Sequence, residues 1–191
     1  MRTIAVDDPA AVPAALKTLR RPGAVLLVPT ETVYGLVCRA DDPAAVEKIY
    51  ELKRRDRRKP LTLFAADWRA VPGAVFSPAA VRLAERYCPG PITLIVAGRE
   101  GGTVGFRMPD HPFILALLKE FGGALASTSA NLSGEPNVRS VREALAQLEG
   151  EPALAIDGGN LPPGALASTI VDTTGTPFRI LRQGALKVDL I

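Results

Sequence analysis

Two hydroxyl-rich segments of the chain each follow an apolar run. PTETVYGL at residues 29–36 places Thr30 and Thr32 directly after AVLLV, and STSANLSG at residues 127–134 gathers Ser127, Ser129 and Asn131 after a second apolar run. Loops at strand ends often hold ligands because the scaffold fixes their polar groups. Hydroxyls and backbone N–H groups suit phosphate or carboxylate oxygens. Ordinary polar turns have the same composition, so each segment alone leaves both interpretations open.

The largest concentration of charge is KRRDRRK at residues 53–59, which contains six basic residues and one acidic residue. The whole chain carries a net charge of +3, so the residues outside this segment carry a net charge of −2. A run of like charges is commonly a solvated face. It is also suited to bind the anionic groups of a phosphate, a nucleotide or an RNA backbone. Charge alone does not choose between these interpretations.

Two arginines and a serine lie at the ends of strand-like segments. Arg107 ends TVGFR and precedes the rigid turn MPDHP, where a planar guanidinium could bind a carboxylate through two hydrogen bonds. A charged residue that only ends an edge strand would show the same sequence pattern, so both interpretations of Arg107 stay open. Ser168 begins STIVD at residues 168–172, and Arg182 lies in ILRQG at residues 180–184.

Several classes of site lack the residues that they need. The sequence has no GxxxxGK[ST] motif and no GxGxxG motif after a strand, which argues against a P-loop and a dinucleotide-binding turn. Cys38 and Cys88 form no CxxC pair and His111 is the only histidine, so a structural zinc or iron–sulfur site lacks ligands. A serine or cysteine hydrolase would have to use His111 as its base.

The composition is typical of a globular protein. The chain has 191 residues, of which 47% are hydrophobic and 23% charged. No window approaches 18 uninterrupted apolar residues, which argues against a membrane span. Asp7 and Asp8 interrupt the N-terminal segment before an apolar stretch develops, which argues against a signal peptide. We therefore predict a cytoplasmic protein with free, reduced thiols.

Start and stop signals predict five helices, and β-branched runs between them predict nine strands. The predicted helices run from Asp8 to about Arg21, from Asp41 to about Lys53, from Ser77 through Cys88, from about Pro112 to Phe121 and from Ser140 to Gly150. The predicted strands are Ala24–Val28, Thr32–Cys38, Leu61–Phe64, Ile92–Val96, Thr103–Arg107, Ala124–Ser127, Ala153–Ile156, Thr169–Asp172 and Phe178–Leu181.

The order of these elements predicts an α/β fold with a mixed sheet, because some strands follow one another without an intervening helix. Several strands are apolar throughout, as expected for strands covered on both faces. No linker, repeat or shift of composition divides the sequence. We predict a single domain over residues 1–191, with a core of about residues 10–186.

In their order along the chain, these motifs resemble those of the YrdC-like threonylcarbamoyl-AMP synthases. The resemblance rests on PTETVYGL, K-x-R followed by KPL, R-x-P-x-HP, STSANLSGEP, STIVD and ILRQG, and extends from about Ala14 to Ala185. It implies a twisted mixed sheet with helices on both faces and a large basic concave surface. Longer members of the family carry an additional C-terminal domain, which we do not expect here.

The resemblance also implies an activity. The family makes L-threonylcarbamoyladenylate and pyrophosphate from L-threonine, bicarbonate or CO2, and ATP. Mg²⁺ accompanies ATP and is held mainly through its phosphates, so no protein metal ligand is expected. Downstream tRNA threonylcarbamoyl-transferase proteins use the product to modify the adenosine beside the anticodon. The resemblance leaves room for affinity for tRNA or double-stranded RNA, and it implies no membrane partner.

Site roles follow from the matching positions of the family motifs. The resemblance assigns Lys53, Arg55 and Ser129 to catalysis and to ATP, and Thr30, Thr32, Arg107 and Ser168 to threonine. It assigns the remaining ATP contacts to Lys59, Thr103, Ser127, Asn131 and Arg182. The reaction needs no covalent nucleophile; it needs alignment and neutralisation of charge, which cations, hydroxyls and a metal ion supply.

Two alternatives remain at this stage. The chain could be an RNA-binding module that uses its basic surface, although aromatic residues make up only 5% of it and offer few platforms for base stacking. It could also be a carbamoyl-adenylating domain of hydrogenase maturation, which normally lies within a much larger chain. Threonine-dependent release of pyrophosphate would distinguish the synthase from both.

Overall fold

The computed structural model describes residues 1–189. Its α-helices are α1 (Ala11–Leu19), α2 (Pro43–Lys53), α3 (Pro78–Tyr87), α4 (Pro112–Phe121) and α5 (Val141–Gln147), with a short 3-10 helix at Trp68–Ala70. Its strands are β1 (Arg2–Ala5), β2 (Val25–Val28), β3 (Gly35–Arg39), β4 (Thr62–Phe64), β5 (Ala74–Val75), β6 (Ile92–Gly98), β7 (Thr103–Arg107), β8 (Leu125–Ser129), β9 (Leu154–Asp157), β10 (Thr169–Asp172) and β11 (Arg179–Arg182). None of the described helices combines the length and apolar character needed to cross a bilayer.

The five predicted helices are confirmed, and three begin with a side-chain cap. Asp42, Ser77 and Ser140 each accept a hydrogen bond of 3.1 Å from the backbone N–H three residues later. Such a cap satisfies one of the N–H groups that the first turn leaves without a partner. Proline occupies the first turn of α2 and α3, where its missing N–H costs nothing.

The strands form one mixed sheet, as predicted. Their order is β1-β9-β2-β3-β8-β4-β7-β6-β10-β11, and β5 pairs with β6 outside this path. The pairs β1/β9, β2/β9, β4/β7 and β6/β10 are parallel. The remaining pairs are antiparallel, which includes β2/β3 and β3/β8 at the centre.

Helices cover both faces of the sheet, and β2 shows why its sequence is apolar throughout. Successive side chains of a strand point to opposite faces. Val25 and Leu27 pack in a cluster with residues of α2 and α5, whereas Leu26 and Val28 pack with residues of α1 and α4. All four side chains are at most 1% exposed. The helix α3 covers β6 and β10 in a separate cluster.

Three elements were not predicted, and one predicted strand begins too early. No pattern in the sequence indicates β1, where only Ile4 is buried, the two-residue β5 or the 3-10 helix. The predicted strand Thr32–Cys38 begins instead at Gly35. Thr30 Oγ1 accepts hydrogen bonds from the N–H groups of Thr32 and Val33, both 3.2 Å, and donates to the carbonyl of Val33. These bonds form a turn that delays the strand.

We expect Leu27→Ala to lower the free energy of unfolding by about 2–5 kcal/mol, because it leaves a cavity between the sheet and its helices. Leu181→Ala is the matched control, since that side chain is 57% exposed, and should change stability by about 0.5 kcal/mol or less. Urea unfolding of both variants measures the difference. Similar losses in the two variants would contradict the assignment of Leu27 to the core.

Candidate active site

A cleft opens beside the central strands, and hydroxyl and guanidinium groups make up its polar lining. The cleft is lined by β3, β4, β6, β7, β8, β10 and β11 together with the loops at residues 30–33 and 55–60. Its polar side chains are Thr30, Arg55, Thr62, Thr93, Arg107, Ser127, Thr128, Ser129, Ser168 and Arg182. Seven of these were predicted from the sequence. The lining combines positive charge with neutral donors and is suited to anionic groups.

The pairing of β3 with β8 brings the two hydroxyl-rich loops side by side. Gly35 pairs with Ser129, and the N–H of Ala130 donates to the carbonyl of Tyr34 at 2.8 Å. A Cβ atom at Gly35 would lie 3.2 Å from the carbonyl oxygen of Thr128, so glycine permits this close approach. The sequence separates these loops by about a hundred residues, and the sheet register joins them.

The first loop is fixed at its base by Tyr34, which is fully buried. The Tyr34 hydroxyl donates to the carbonyl of Gly159 at 2.7 Å and accepts from the N–H of Gly158 at 2.9 Å. Burial raises the pKa of Tyr34 to about 12, so the phenol stays protonated and keeps its donor role. The loop therefore has a rigid attachment below Thr30 and Thr32.

Arg107 ends β7 and is held at the wall of the cleft. It is 5% exposed, and its Nη2 donates to Thr32 Oγ1 at 2.8 Å. Thr32 Oγ1 lies in turn 2.9 Å from Thr30 Oγ1. The Arg107 guanidinium also lies 5.6 Å from the ring centre of Phe64, a cation–π distance. These contacts orient a planar cation beside two hydroxyls, as the sequence predicted.

Ser168 and Arg182 form a second polar group with Thr93. The hydroxyls of Thr93 and Ser168 lie 2.8 Å apart, and Arg182 Nη2 donates to the carbonyl of Ser168 at 2.9 Å. Partial burial lowers the pKa of Arg182, and the positive charge of Arg107 lowers it further. Two guanidinium groups that repel one another across a cleft are stabilised when an anion lies between them.

The basic segment divides into side chains that face the cleft and side chains that face solvent. The helix α2 ends at Lys53, and Arg54 adopts a left-handed conformation with φ of 47°, which turns the chain sharply. Arg55 then lines the cleft, where its Nε and Nη2 donate to the carbonyls of Lys59 and Pro60, both at 3.1 Å. Arg57 and Arg58 instead pair with exposed carboxylates.

Lys53 lies beneath the cleft and not in it. The residue is 1% exposed, and its ammonium donates to the carbonyls of Ser129 and Asn131. Burial lowers the pKa of Lys53 to about 7, and the charge of Arg55 adds to this effect. Lys53 therefore ties α2 to the loop after β8. A direct contact with ATP phosphates stays a prediction.

The structure does not bring four other predicted residues into the cleft lining. Thr32 is 3% exposed and contacts Arg107 beside the lining. Asn131 supports the loop: its Oδ1 accepts from Ser129 Oγ, and its Nδ2 donates to the carbonyl of Glu135 at 2.7 Å. Lys59 is exposed and contributes its carbonyl to Arg55. Thr103 is exposed at the opposite end of β7 from Arg107, about 13 Å away along the strand, and its assigned contact with ATP stays a prediction.

Sequence reasoning missed four residues at or beside the cleft. One of them, Thr128, lies in β8 within the second hydroxyl-rich segment, but no role was assigned to it. Thr62 and Thr93 line it from β4 and β6, where single threonines within apolar strands gave no signal. Glu31 lies within the first loop and contacts Arg107, with 2.9 Å between Glu31 Oε1 and Arg107 Nη2. An acidic residue between two predicted ligand-binding threonines was the available signal for Glu31.

A comparison with known families identifies the chain. The Sua5_yciO_yrdC family model, described as telomere recombination, matches residues 18–184. The chain belongs to this family. The match includes every residue that was assigned to the cleft, from Thr30 to Arg182.

Relatives support the Sua5_yciO_yrdC assignment. The chain is 39% identical over 189 residues to the threonylcarbamoyl-AMP synthase of Mus musculus, a match that covers 91% of this chain and 67% of the relative. It resembles Pyrococcus abyssi Sua5, solved with L-threonine, at 34% identity and a TM-score of 0.83; 92% of this chain and 54% of that chain are covered. It also resembles Escherichia coli YciO at 28% identity and a TM-score of 0.84; 96% of this chain and 95% of that chain are covered.

The buried ammonium of Lys53 predicts a specific pH dependence of stability. In the unfolded chain Lys53 keeps its proton up to its ordinary pKa of 10.5, whereas the pKa in the folded chain is about 7. Above pH 7 the unfolded state therefore binds more protons. The free energy of unfolding should gain up to about 1.4 kcal/mol per pH unit from this residue between pH 7 and pH 9.

Urea unfolding of the wild type and of Lys53→Met at pH 7, 8 and 9 measures this contribution as the difference between the two profiles. Lys48→Met is the control, because the Lys48 side chain is 44% exposed, and its profile should run parallel to that of the wild type. If the profile of Lys53→Met also runs parallel, Lys53 is not buried as the structure describes.

Proposed function

We propose that this chain is a threonylcarbamoyl-AMP synthase. The observation that carries the proposal is the position of Arg107: a buried, oriented guanidinium beside two threonine hydroxyls, in a cleft with two more arginines. Relatives of 39% identity carry this name, and a relative of 34% identity was solved with L-threonine. The cleft thus has one end suited to an amino acid and a wider lining suited to phosphates.

The threonine carboxylate binds to Arg107. A planar guanidinium can donate two parallel hydrogen bonds to a carboxylate, which fixes the orientation of the ligand as well as its position. Thr30 and Thr32 lie within hydrogen-bonding distance of one another beside Arg107 and offer hydroxyls to the substrate. Ser168 completes this end of the cleft from the opposite wall.

The ATP phosphates bind between Arg55 and Arg182. Ser127 and Ser129 contribute hydroxyls from β8, and Lys53 acts through the loop that it holds. No group of three or more histidine, cysteine or acidic side chains within residues 1–189 is arranged to hold a metal ion. The hydroxyls and arginines of the cleft fit a Mg²⁺ ion that arrives on the ATP phosphates, where it would neutralise charge on the leaving pyrophosphate.

The residues of the cleft perform alignment and charge neutralisation. The amine of threonine loses a proton and forms a C–N bond with CO2 derived from bicarbonate, which gives a carbamate. A carbamate oxygen then attacks the α-phosphorus of ATP, and the bond from that phosphorus to the bridging oxygen breaks as pyrophosphate leaves. Arg55 and Arg182 stabilise the negative charge on the phosphates, and Arg107 holds the nucleophile in line.

The product is an activated adenylate, which transferase proteins consume when they modify the adenosine beside the anticodon of tRNA. We propose that these proteins and tRNA are the partners of the pathway and that the reaction takes place in the cytoplasm. Affinity for tRNA or double-stranded RNA on a basic concave surface stays a secondary proposal. Arg57 and Arg58 are paired with carboxylates, which reduces the charge available to an RNA backbone.

Incubation with ATP, bicarbonate and an amino acid tests the activity, with mass detection of the acyl-adenylate and measurement of pyrophosphate. We expect threonine to give both products and serine, which lacks one methyl group, to react at about 10- to 200-fold lower kcat/KM. Valine should be essentially inactive, because its methyl group replaces the hydroxyl that the cleft binds. Pyrophosphate release that does not depend on threonine would overturn the proposed function.

The division of the basic segment predicts unequal effects of two arginine substitutions. Arg55→Ala should lower kcat/KM for ATP by about 10- to 200-fold, because it removes charge-assisted hydrogen bonds to phosphate. Arg58→Ala is the matched control; its side chain is 91% exposed and should change kcat/KM by less than about threefold. Pyrophosphate release at saturating threonine and varied ATP measures both. Equal losses in the two variants would indicate that the basic segment acts through a diffuse electrostatic field and does not contain a specific phosphate-binding site.

A further inference from the structure

Glu31 and Arg107 form an ion pair that lacks hydrogen-bond geometry. Glu31 Oε1 lies 2.9 Å from Arg107 Nη2, and the side chains are 18% and 7% exposed. Among residues 1–189, neither carboxylate oxygen of Glu31 has a hydrogen-bond partner, and neither has Arg107 Nε, although all three atoms are buried. The contact therefore compensates charge and does little to fix geometry. Buried polar atoms in this condition call for an explanation.

Glu31 contacts Arg107 but does not itself line the cleft. Arg107 and Thr30 line the cleft. The carboxylate of Glu31 lies close enough to Cys88 to contribute to its environment: burial raises the pKa of Cys88 to about 11, and the negative charge of Glu31 is a smaller cause in the same direction. The charge of the guanidinium is thus compensated by a buried carboxylate, while Arg107 itself lines the cleft, where a ligand can reach it.

We infer that Glu31 determines ligand specificity: it makes the Arg107 subsite electrically neutral, so that the subsite favours a zwitterionic amino acid over a hydroxy acid anion. The inference rests on the proposed function, in which Arg107 binds the threonine carboxylate. It goes further because it names the group that distinguishes the two classes of carboxylate.

The argument is one of net charge. Threonine has a net charge of zero, whereas (R)-3-hydroxybutyrate has the same carboxylate, hydroxyl and methyl group but a net charge of −1. Arg107 and its neighbour Arg182 alone would attract the anion more strongly than the zwitterion. The negative charge of Glu31 offsets one of these two positive charges, which weakens the preference for the anion and favours the ammonium of threonine. Selectivity matters because the hydroxy acid has no amine, cannot form a carbamate and would occupy the cleft unproductively.

Glu31→Gln tests the inference, since glutamine keeps the shape and removes the charge. The measurements are KM for threonine and the inhibition constant Ki of (R)-3-hydroxybutyrate, both from threonine-dependent pyrophosphate release. We expect the ratio of Ki to KM to fall by about tenfold or more, the effect of one unit charge in a partly buried site. Glu151→Gln is the control, because Glu151 pairs with the N-terminal ammonium at 2.9 Å, and its ratio should be unchanged.

Other outcomes would overturn the inference. If both constants rise by the same factor, Glu31 only supports the structure; if both fall by the same factor, it only competes for Arg107. Should Glu31→Gln fail to fold by circular dichroism, Glu31→Asp retains a charge farther from Arg107. That variant should lower the ratio by a smaller factor, and an unchanged or higher ratio contradicts the inference. Failure of the wild type to release pyrophosphate with threonine would instead overturn the proposed function.

Discussion

The register between β3 and β8 is the constraint on which the cleft depends. Because Gly35 pairs with Ser129, the turn before β3 and the loop after β8 leave the sheet at the same place. A shift of one residue would point every side chain of either strand to the opposite face. Helices pack closely against both faces, so such a shift is costly because each side chain would enter a space shaped for another. Core packing thus fixes the position of the site.

The cleft concentrates positive charge that the protein only partly compensates. Arg55, Arg107 and Arg182 line it, and Lys53 lies buried beneath it. Burial makes each cation less favourable unless a partner is present. The protein provides carbonyl oxygens for Lys53 and Arg55 and a carboxylate for Arg107. In the proposed function a substrate meets the remaining demand for negative charge, so that part of the cost of burial becomes binding energy.

The sequence was informative where a residue acts through its local neighbours. Caps such as Asp42 and Ser140 predicted helix starts, and the apolar run Val25–Val28 predicted a strand covered on both faces. It was less informative where the outcome depends on distant segments. The burial of Lys53 follows from carbonyls 76 and 78 residues away, which no local pattern indicates. Thr103 is a different case, because its distance from Arg107 follows from the predicted strand that joins them, and its contact with ATP stays a prediction.

The polar side chains that line the cleft are arginines, serines and threonines, and the chemistry of the reaction explains why few of them act as acids or bases. Forming the mixed anhydride requires an anionic nucleophile and an anionic leaving group to approach one another, so electrostatic repulsion is the main obstacle. Fixed guanidinium groups reduce this repulsion without any proton transfer, because arginine stays charged throughout the physiological pH range. Hydroxyls add hydrogen bonds without adding charge that would hold the product. In the proposed function, arginines, serines and threonines on a rigid sheet therefore align the two anions, and Mg²⁺ on the ATP phosphates would assist the release of pyrophosphate.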